Sequence, residues 1–467
     1  MIRTRGRQRL LGRLASPKLA AWLIVVLILL TLLSVLLPQK SFLGEQFEQF
    51  VRDVPWLASL MGAMSLDRVF TGWPIVVVAV LLAANVVACS VLRIQARSRV
   101  PRVAVSRDAS TAHLAENLSP EDFLDAAAVL LGSNRYTLLN QTPDGLVARA
   151  GGSGFLGSML LHASLLVIIL GGAATAVTSF RGEMAITDGQ TVIDAADAYL
   201  NVANEPEIGE AFSGTQVTLE STEVRYDRGV VVSAIAKMRA TEPSGRTVAK
   251  EVRVNHPLDA GGKAYLLQDS GYAASLVIGT PGVAPQPVVV RLAERTAHGW
   301  RDSLDLGVID GRRVTLEMTA TPVPLGDDQP VPPEEFELAD PRLKVALVGD
   351  GAVLWAGELA RGQTASAETG VTLKFEDLHL WNRFLVRGEP ARWITYLGFW
   401  LAVSGSAWRF AVPERRVSVA VRGEDGALVA SVSLRSRPWR GSKAAADELM
   451  TREILGLAAE GGPDDHT

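Results

Sequence analysis

One cysteine, Cys89, stands in 467 residues, so no disulfide can close within the chain. Without a CxxC pair the chain cannot itself run dithiol exchange. An excess of positive charge is missing as well. Against 46 Lys and Arg stand 50 Asp and Glu, a net charge of −4, and no basic stripe carries interleaved aromatics, which excludes a nucleic-acid footprint. The sequence shows no Ser/His/Asp pattern, no paired-carboxylate motif, no phosphate loop and no metal-spaced Cys/His set. An enzyme in its own right is therefore not expected. Nor is there the inverted repeat that often marks a secondary transporter.

Long apolar runs are present instead. Hydrophobic residues make up 48%, and they concentrate in four segments predicted to cross a membrane, at 19–37, 73–92, 155–177 and 391–412. Before the first come Arg3, Arg5, Arg7, Arg9, Arg13 and Lys18, with no acidic residue. Pro38, Gln39 and Lys40 follow it where a signal peptide would need a small-residue cleavage site, so an uncleaved anchor is expected. Arg93, Arg97, Arg99 and Arg102 follow the second run, and Arg409, Arg415 and Arg416 close the fourth. Basic ends stay in the cytoplasm, which puts both termini (1–18 and 413–467) inside.

The connections sort accordingly. Residues 38–72 form a short outer loop and 93–154 a cytoplasmic α/β segment. The latter has a helix capped at Ser119, Pro120 and Glu121, then two short strands flanking a Pro143-Asp144-Gly145 turn. Residues 178–390 carry many short runs such as QVTLEST, GVVVSAIAKM and VTLKFE, punctuated by Gly, Pro, Asp and Asn, which predicts an antiparallel sandwich or open barrel outside the membrane. The tail reads as a strand pair turning at Asp425-Gly426, then a polar helix near 443–459 and a frayed end. The expected class is thus an α+β integral membrane protein: four transmembrane helices with a large extracytoplasmic β domain between spans three and four.

His162 is the only titratable side chain in FLGSMLLHASLLVIILGGAATAV. An ionisable group in hydrocarbon costs a few kcal/mol or more, so it faces protein, water or a metal. Imidazole is a common ligand of haem iron, but a helix-contact histidine bonded to a carbonyl fits the position equally. Gly154, Gly157, Ser158, Gly171 and Gly172 admit either a flat macrocycle or a close helix. Cys89 closes the second span, as a packing residue or as a thiol on a haem path. His379 reads as a satisfied or solvated outer-domain residue, with a haem contact as the alternative; His256, in VNHPL, reads as turn structure, and His113, His298 and His466 as solvated. Arg181 and Arg387 flank the outer side, as interfacial anchors or as partners for propionates.

Five stretches resemble one family, ResB, the multi-span subunit of System II cytochrome c maturation. They are SPKLAAWLIVVLILL; Asp67-Arg68-Val69-Phe70 leading through Trp73 to NVVACSVLR; GSGFLGSMLLHASLLVIILGG with Arg181-Gly182; VRVNHPLDAGGKAYLLQDSGYA; and GEPARWITYLGFWLAVSGSAWRFAVPERRVSVAV. They bracket nearly the whole chain in the family's order. Glu389-Pro390 replaces the usual Asp-Pro, and Val417-Ser418-Val419 stands where an aromatic often follows the arginine pair. The resemblance implies a bacterial cytoplasmic-membrane protein that helps export haem b. With a tryptophan-rich, WWD-type partner, ResC or CcsA, it would present the haem to apocytochrome c. It implies that His162 is an axial haem ligand; span three enters from the inside, so His162 would lie about 10 Å deep at ~1.5 Å per residue. It also implies that Asn255, Pro257, Gly271 and Tyr272 shape a turn and strand. The tryptophans here are scattered, so this chain would be one half of the machine. The competing expectation is an envelope scaffold that uses its β domain for protein contacts.

Overall fold

The structure is a computed structural model that describes residues 11–37, 45–66, 72–104, 106, 109–227, 230–296, 299–309, 311–321, 340–424, 427–436 and 442–460. The four arginines at 3, 5, 7 and 9, the Asp67–Phe70 lead, the 38–40 segment, the Asp425-Gly426 turn, His298, His466 and the terminal 461–467 lie outside these residues. Eight helices organise the description: α1 Pro17–Leu36, α2 Glu45–Asp53, α3 Pro55–Ala63, α4 Trp73–Arg97, α5 Pro120–Ser133, α6 Gly154–Thr178, α7 Arg392–Ala411 and α8 Ser442–Glu460. The chain divides into two compact units, one of residues 1–37, 61–174 and 392–467, the other of 38–60 and 175–391.

In the first unit, α4 and α6 are long and apolar enough to cross a membrane by length and composition. The hydropathy of α4 falls where Arg93 begins, yet the helix runs on to Arg97, because Arg, Ile, Gln and Ala are good or adequate helix formers. α1 is a shorter apolar helix, and α7 is diluted by two arginines and several Gly, Ser and Thr. Glycines bring α6 and α7 together. A Cβ on Gly157 would stand 2.8 Å from the Gly405 carbonyl, and one on Gly405 would stand 2.9 Å from the Gly157 carbonyl. Farther along, Gly171 meets Thr395 and Gly398 meets Ile168 in the same way. These small residues let the two backbones touch. Gly172 has nothing within 4 Å of its would-be Cβ, and Ser158 is turned to α4.

The segments read separately as 93–154 and 413–467 form one domain. A five-stranded antiparallel sheet runs in the order Ser110–His113, Ala427–Ser436, Arg415–Glu424, Gly145–Ala150, Thr137–Thr142. Phe123, Leu124, Ala127 and Leu131 form one stripe of α5, and with Ile454 and Ala458 of α8 they pack against Leu146, Ala148, Val417, Val419, Ala430 and Val432 of the sheet. Ser119 caps α5: its hydroxyl accepts from the Asp122 N–H at 3.1 Å and donates to the Asp122 carboxylate at 2.5 Å.

The second unit is antiparallel throughout, with three sheets of seven, five and four strands. Two 17-residue strands, Lys263–Gly279 and Thr372–Gly388, pair along their length at the centre of the seven-stranded sheet. One core packs their Leu276, Leu373 and Phe375 against Leu316, Leu343 and Leu347 of the five-stranded sheet. The other packs Tyr265, Phe384 and Val386 against Val217, Leu219 and Met238 of the four-stranded sheet. The expected sandwich is therefore a pair of sandwiches sharing one sheet. The region expected as an outer loop, 38–72, contains α2 and α3, each of nine residues.

Candidate functional site

α1, α4 and α6 line an open cavity of about 590 Å³ formed by Ala15, Pro17, Ala20, Ala21, Ile24, Leu82, Asn85, Val86, Cys89, Leu92, Arg93, Ala96, His162 and Leu165. The two candidate residues, far apart in sequence, thus share one mostly apolar wall. Its size lies within the ~300–1,000 Å³ of small-molecule sites. The His162 Nδ1 lies 2.7 Å from the Ser158 carbonyl, one turn back on α6. A carbonyl only accepts, so that bond puts the proton on Nδ1 and leaves the lone pair of the neutral ring on Nε2, the tautomer that an iron ligand needs. The Ser158 hydroxyl accepts from Arg93 Nη1 of α4 at 2.5 Å, tying the two helices together beside the histidine.

Asn85 and Cys89 hold the start of α1. Asn85 Nδ2 donates to the Leu14 carbonyl and, at 3.2 Å, to that of Ser16; Cys89 Sγ lies 3.3 Å from the Ala15 carbonyl. The thiol therefore has a structural partner and also faces the cavity. Asn85 escaped the sequence reading, although the signal was the same as for His162: a polar side chain in an apolar run.

A second cavity, of about 580 Å³, adjoins the first and shares Arg93 and Ala96 with it. It is lined by six arginines, Arg93, Arg97, Arg99, Arg149, Arg409 and Arg416, and one acid, Glu414. Arg97 donates to the Gly152 carbonyl at 2.8 Å and stacks on Phe155, while Glu414 is divided between Arg149 at 3.8 Å and Arg416 at 4.0 Å. Burial, then the neighbouring charge of Arg97, pulls the Arg149 guanidinium below its ordinary range. In sequence Arg93, Arg97, Arg99, Arg409 and Arg416 marked only the direction of the spans, and Arg149 carried no signal.

The remaining candidates lie elsewhere. Arg181 and Arg387 are register partners on adjacent strands; burial and then Arg387 lower the Arg181 pKa. His379 is half-buried opposite Ala273, near Asp188. Burial raises that carboxyl against hydrogen bonds from Thr222. His256 is exposed in a tight turn behind Asn255, whose φ is +64°. Pro257 follows that turn. Gly271 is crossed by Trp381, whose Nε1 would stand 2.8 Å from a Cβ there, and Tyr272 is buried next to it. His113 is exposed on an edge strand.

Apolar helices joined to an antiparallel β unit define a membrane-associated class of protein. The chain belongs to the ResB-like family, whose model matches residues 18–445. Among its relatives, the cytochrome c biogenesis protein CcsB of Prochlorococcus marinus (strain MIT 9313) is 24% identical over 85% of this chain and 87% of its own length. CcsB of Thermosynechococcus vestitus is 26% identical over 59% of this chain and 63% of its own. The chloroplastic cytochrome c biogenesis protein CCS1 of Arabidopsis thaliana is 23% identical over 57% of this chain and 50% of its own.

Proposed function

We propose that this chain is the haem-handling membrane subunit of a cytochrome c maturation complex. Family membership and the names of the relatives support a role in cytochrome c maturation. The observation that carries the finer reading is the apolar cavity that holds His162 in its Nδ1–H tautomer. Among the described residues no cluster of three His, Cys, Asp or Glu is arranged for a metal ion. A porphyrin supplies four of the iron's ligands itself, so one imidazole on an apolar wall suits haem better than a bare ion. Haem b is then cargo and His162 one axial ligand, while Cys89 lines the same wall and holds the segment before α1. The chain has no reaction of its own; a WWD-type partner and apocytochrome c complete the complex.

On this reading α1, α4, α6 and α7 span the cytoplasmic membrane, with the β unit outside and both termini inside. Large apolar side chains are exposed along the two weaker spans. Trp22, Val35 and Leu36 of α1 are 70–80% exposed, and Trp393, Phe399, Trp400 and Val403 of α7 are 54–72% exposed. Such faces are at home in lipid.

The test is His162→Gly in the complex co-purified with its WWD-type partner. The complex should lose haem or shift its visible spectrum, and added imidazole should restore it by supplying the missing nitrogen. Unchanged haem content in a well-expressed variant removes His162 from the mechanism.

A further inference from the structure

The arginine-lined cavity is not explained by packing. Six arginines line it with a single carboxylate, Glu414, which reaches Arg149 and Arg416 only at 3.8 and 4.0 Å. Arg409 Nη1 is buried without a hydrogen-bond partner. A buried, unmet N–H on a charged group is costly, and like charges so crowded repel one another. Both penalties are relieved by an anion with several acceptor oxygens.

The neighbouring cavity narrows the choice of anion. The two cavities share Arg93 and Ala96. Arg93 is bonded to Ser158, one turn (about 6 Å) along α6 from His162. Together they offer an apolar slot with an imidazole at one end of a guanidinium cluster. A phospholipid could place its acyl chains and headgroup there, but it has no use for the imidazole. A metalloporphyrin with acidic side chains uses all three features: the ring in the slot, the iron at His162, and the carboxylates among the arginines.

Resting on the haem reading above, we infer that the second cavity is the carboxylate-binding half of a porphyrin site, in which Arg149, Arg409 and Arg416 pair with the two propionates. Arginine is suited to this because its planar fork binds a carboxylate through two N–H groups. Such pairing would fix the ring's orientation, with Arg149 and Arg416 of the sheet and Arg409 of α7 holding the carboxylates and His162 of α6 available to the iron.

The test uses the full chain purified in detergent, titrated with ferric protoporphyrin IX and with its dimethyl ester, followed by absorbance. The ester keeps ring and iron but loses both negative charges. The diacid should bind about ten- to a hundredfold more tightly, the range of one to two charge-assisted bonds. Arg409→Gln should remove most of that preference and leave ester binding unchanged. Equal affinity for diacid and ester overturns this inference while haem binding at His162 still stands. Binding of neither porphyrin removes the haem reading and this inference with it. A diphosphate phospholipid that binds tightly and is lost in Arg409→Gln, with porphyrin binding indifferent to that change, makes the cavity a lipid headgroup site and overturns the assignment. Should Arg409→Gln fail to fold, the diacid–ester comparison on the unaltered chain decides by itself.

Discussion

Gly157→Ala should separate α6 from α7. The added methyl would stand 2.7 Å from the Arg409 backbone N and 2.8 Å from the Gly405 carbonyl, where ordinary contact begins at 3.4 Å. The helices must part by about 0.7 Å (from 2.7 to 3.4 Å), and because both obstacles are backbone, no side-chain rotation relieves the clash. Overpacking of this kind costs about 1–3 kcal/mol. Gly405→Ala meets the same contact from the other side, at 2.8 Å from the Leu161 N and 2.9 Å from the Gly157 carbonyl. The two changes together should therefore cost less than their sum, since helices already parted by one methyl accommodate the second. Gly172→Ala lies on the same helix with nothing within 4 Å. It should be neutral or stabilising by up to ~1 kcal/mol through helix propensity. Thermal unfolding of the detergent-purified chain, followed by circular dichroism, separates the three. If Gly157→Ala melts with Gly172→Ala, the close crossing of α6 and α7 is refuted.

Lys263→Met should cost about 3–5 kcal/mol in the β unit, because it leaves the fully buried Asp194 carboxylate without its 2.8 Å partner; adding Asp194→Leu should recover part of the loss in denaturant titrations. Burial opposes ionisation of Asp194, but hydrogen bonds from Lys263, Ser213 and Tyr199 outweigh it and hold the carboxyl below its usual range. That contribution is full above the unfolded pKa near ~3.9. It fades as pH falls through the lower folded value, so wild type and Lys263→Met should converge in strong acid. Cys89→Ser keeps a donor for the Ala15 carbonyl, so cytochrome c yield should match wild type. A fall in yield at constant protein level would show that the thiol meets the cargo. Reporter fusions after Lys40 and within 178–390 should read outside, and those near Arg102 or the C-terminus inside; an inside signal from the β unit would reverse the orientation.

What the sequence disclosed depended on how local each signal was. The runs that became α4 and α6 are apolar over a full span, and composition suffices for that. The hairpin of Thr137–Thr142 with Gly145–Ala150 turns within a few residues, as the Pro-Asp-Gly cluster indicates. The sheet that joins this hairpin to Arg415–Glu424 pairs Ala150 with Arg415 across most of the chain, and no period in either strand names that partner. α2 does carry Phe47, Phe50 and Val51 at helical spacing and α3 is largely apolar, but each is only nine residues long, too short for pattern alone to set it apart from a loop. His162 announced itself through the cost of imidazole in an apolar run. The arginine cavity did not, because Arg149, Arg409 and Arg416 come from three separate elements whose convergence is decided by strand register.

That register is what makes the cavity a fixed structure. The strand entering α6 and the strand leaving α7 lie side by side, Ala150 against Arg415. Where the helices begin and end, no side chain fits between them. A Cβ on Gly151, already at φ +68°, would stand 2.2 Å from the Pro413 carbonyl, and one on Gly154 would stand 2.0 Å from that of Val412. The junction is therefore backbone against backbone, and Arg149, Arg409 and Glu414 all lie within a few residues of it. Mutual repulsion would spread arginines carried on free loops. Here the sheet holds them at a set spacing before any anion arrives, so the cost of gathering them is met in folding rather than in binding. A shift of the helix ends by one strand residue would turn Arg149 to the opposite face of the sheet and remove it from the cluster. The tail and the 93–154 segment thus do together what neither shows alone: their shared sheet sets the spacing of the arginines that line the cavity beside the helices.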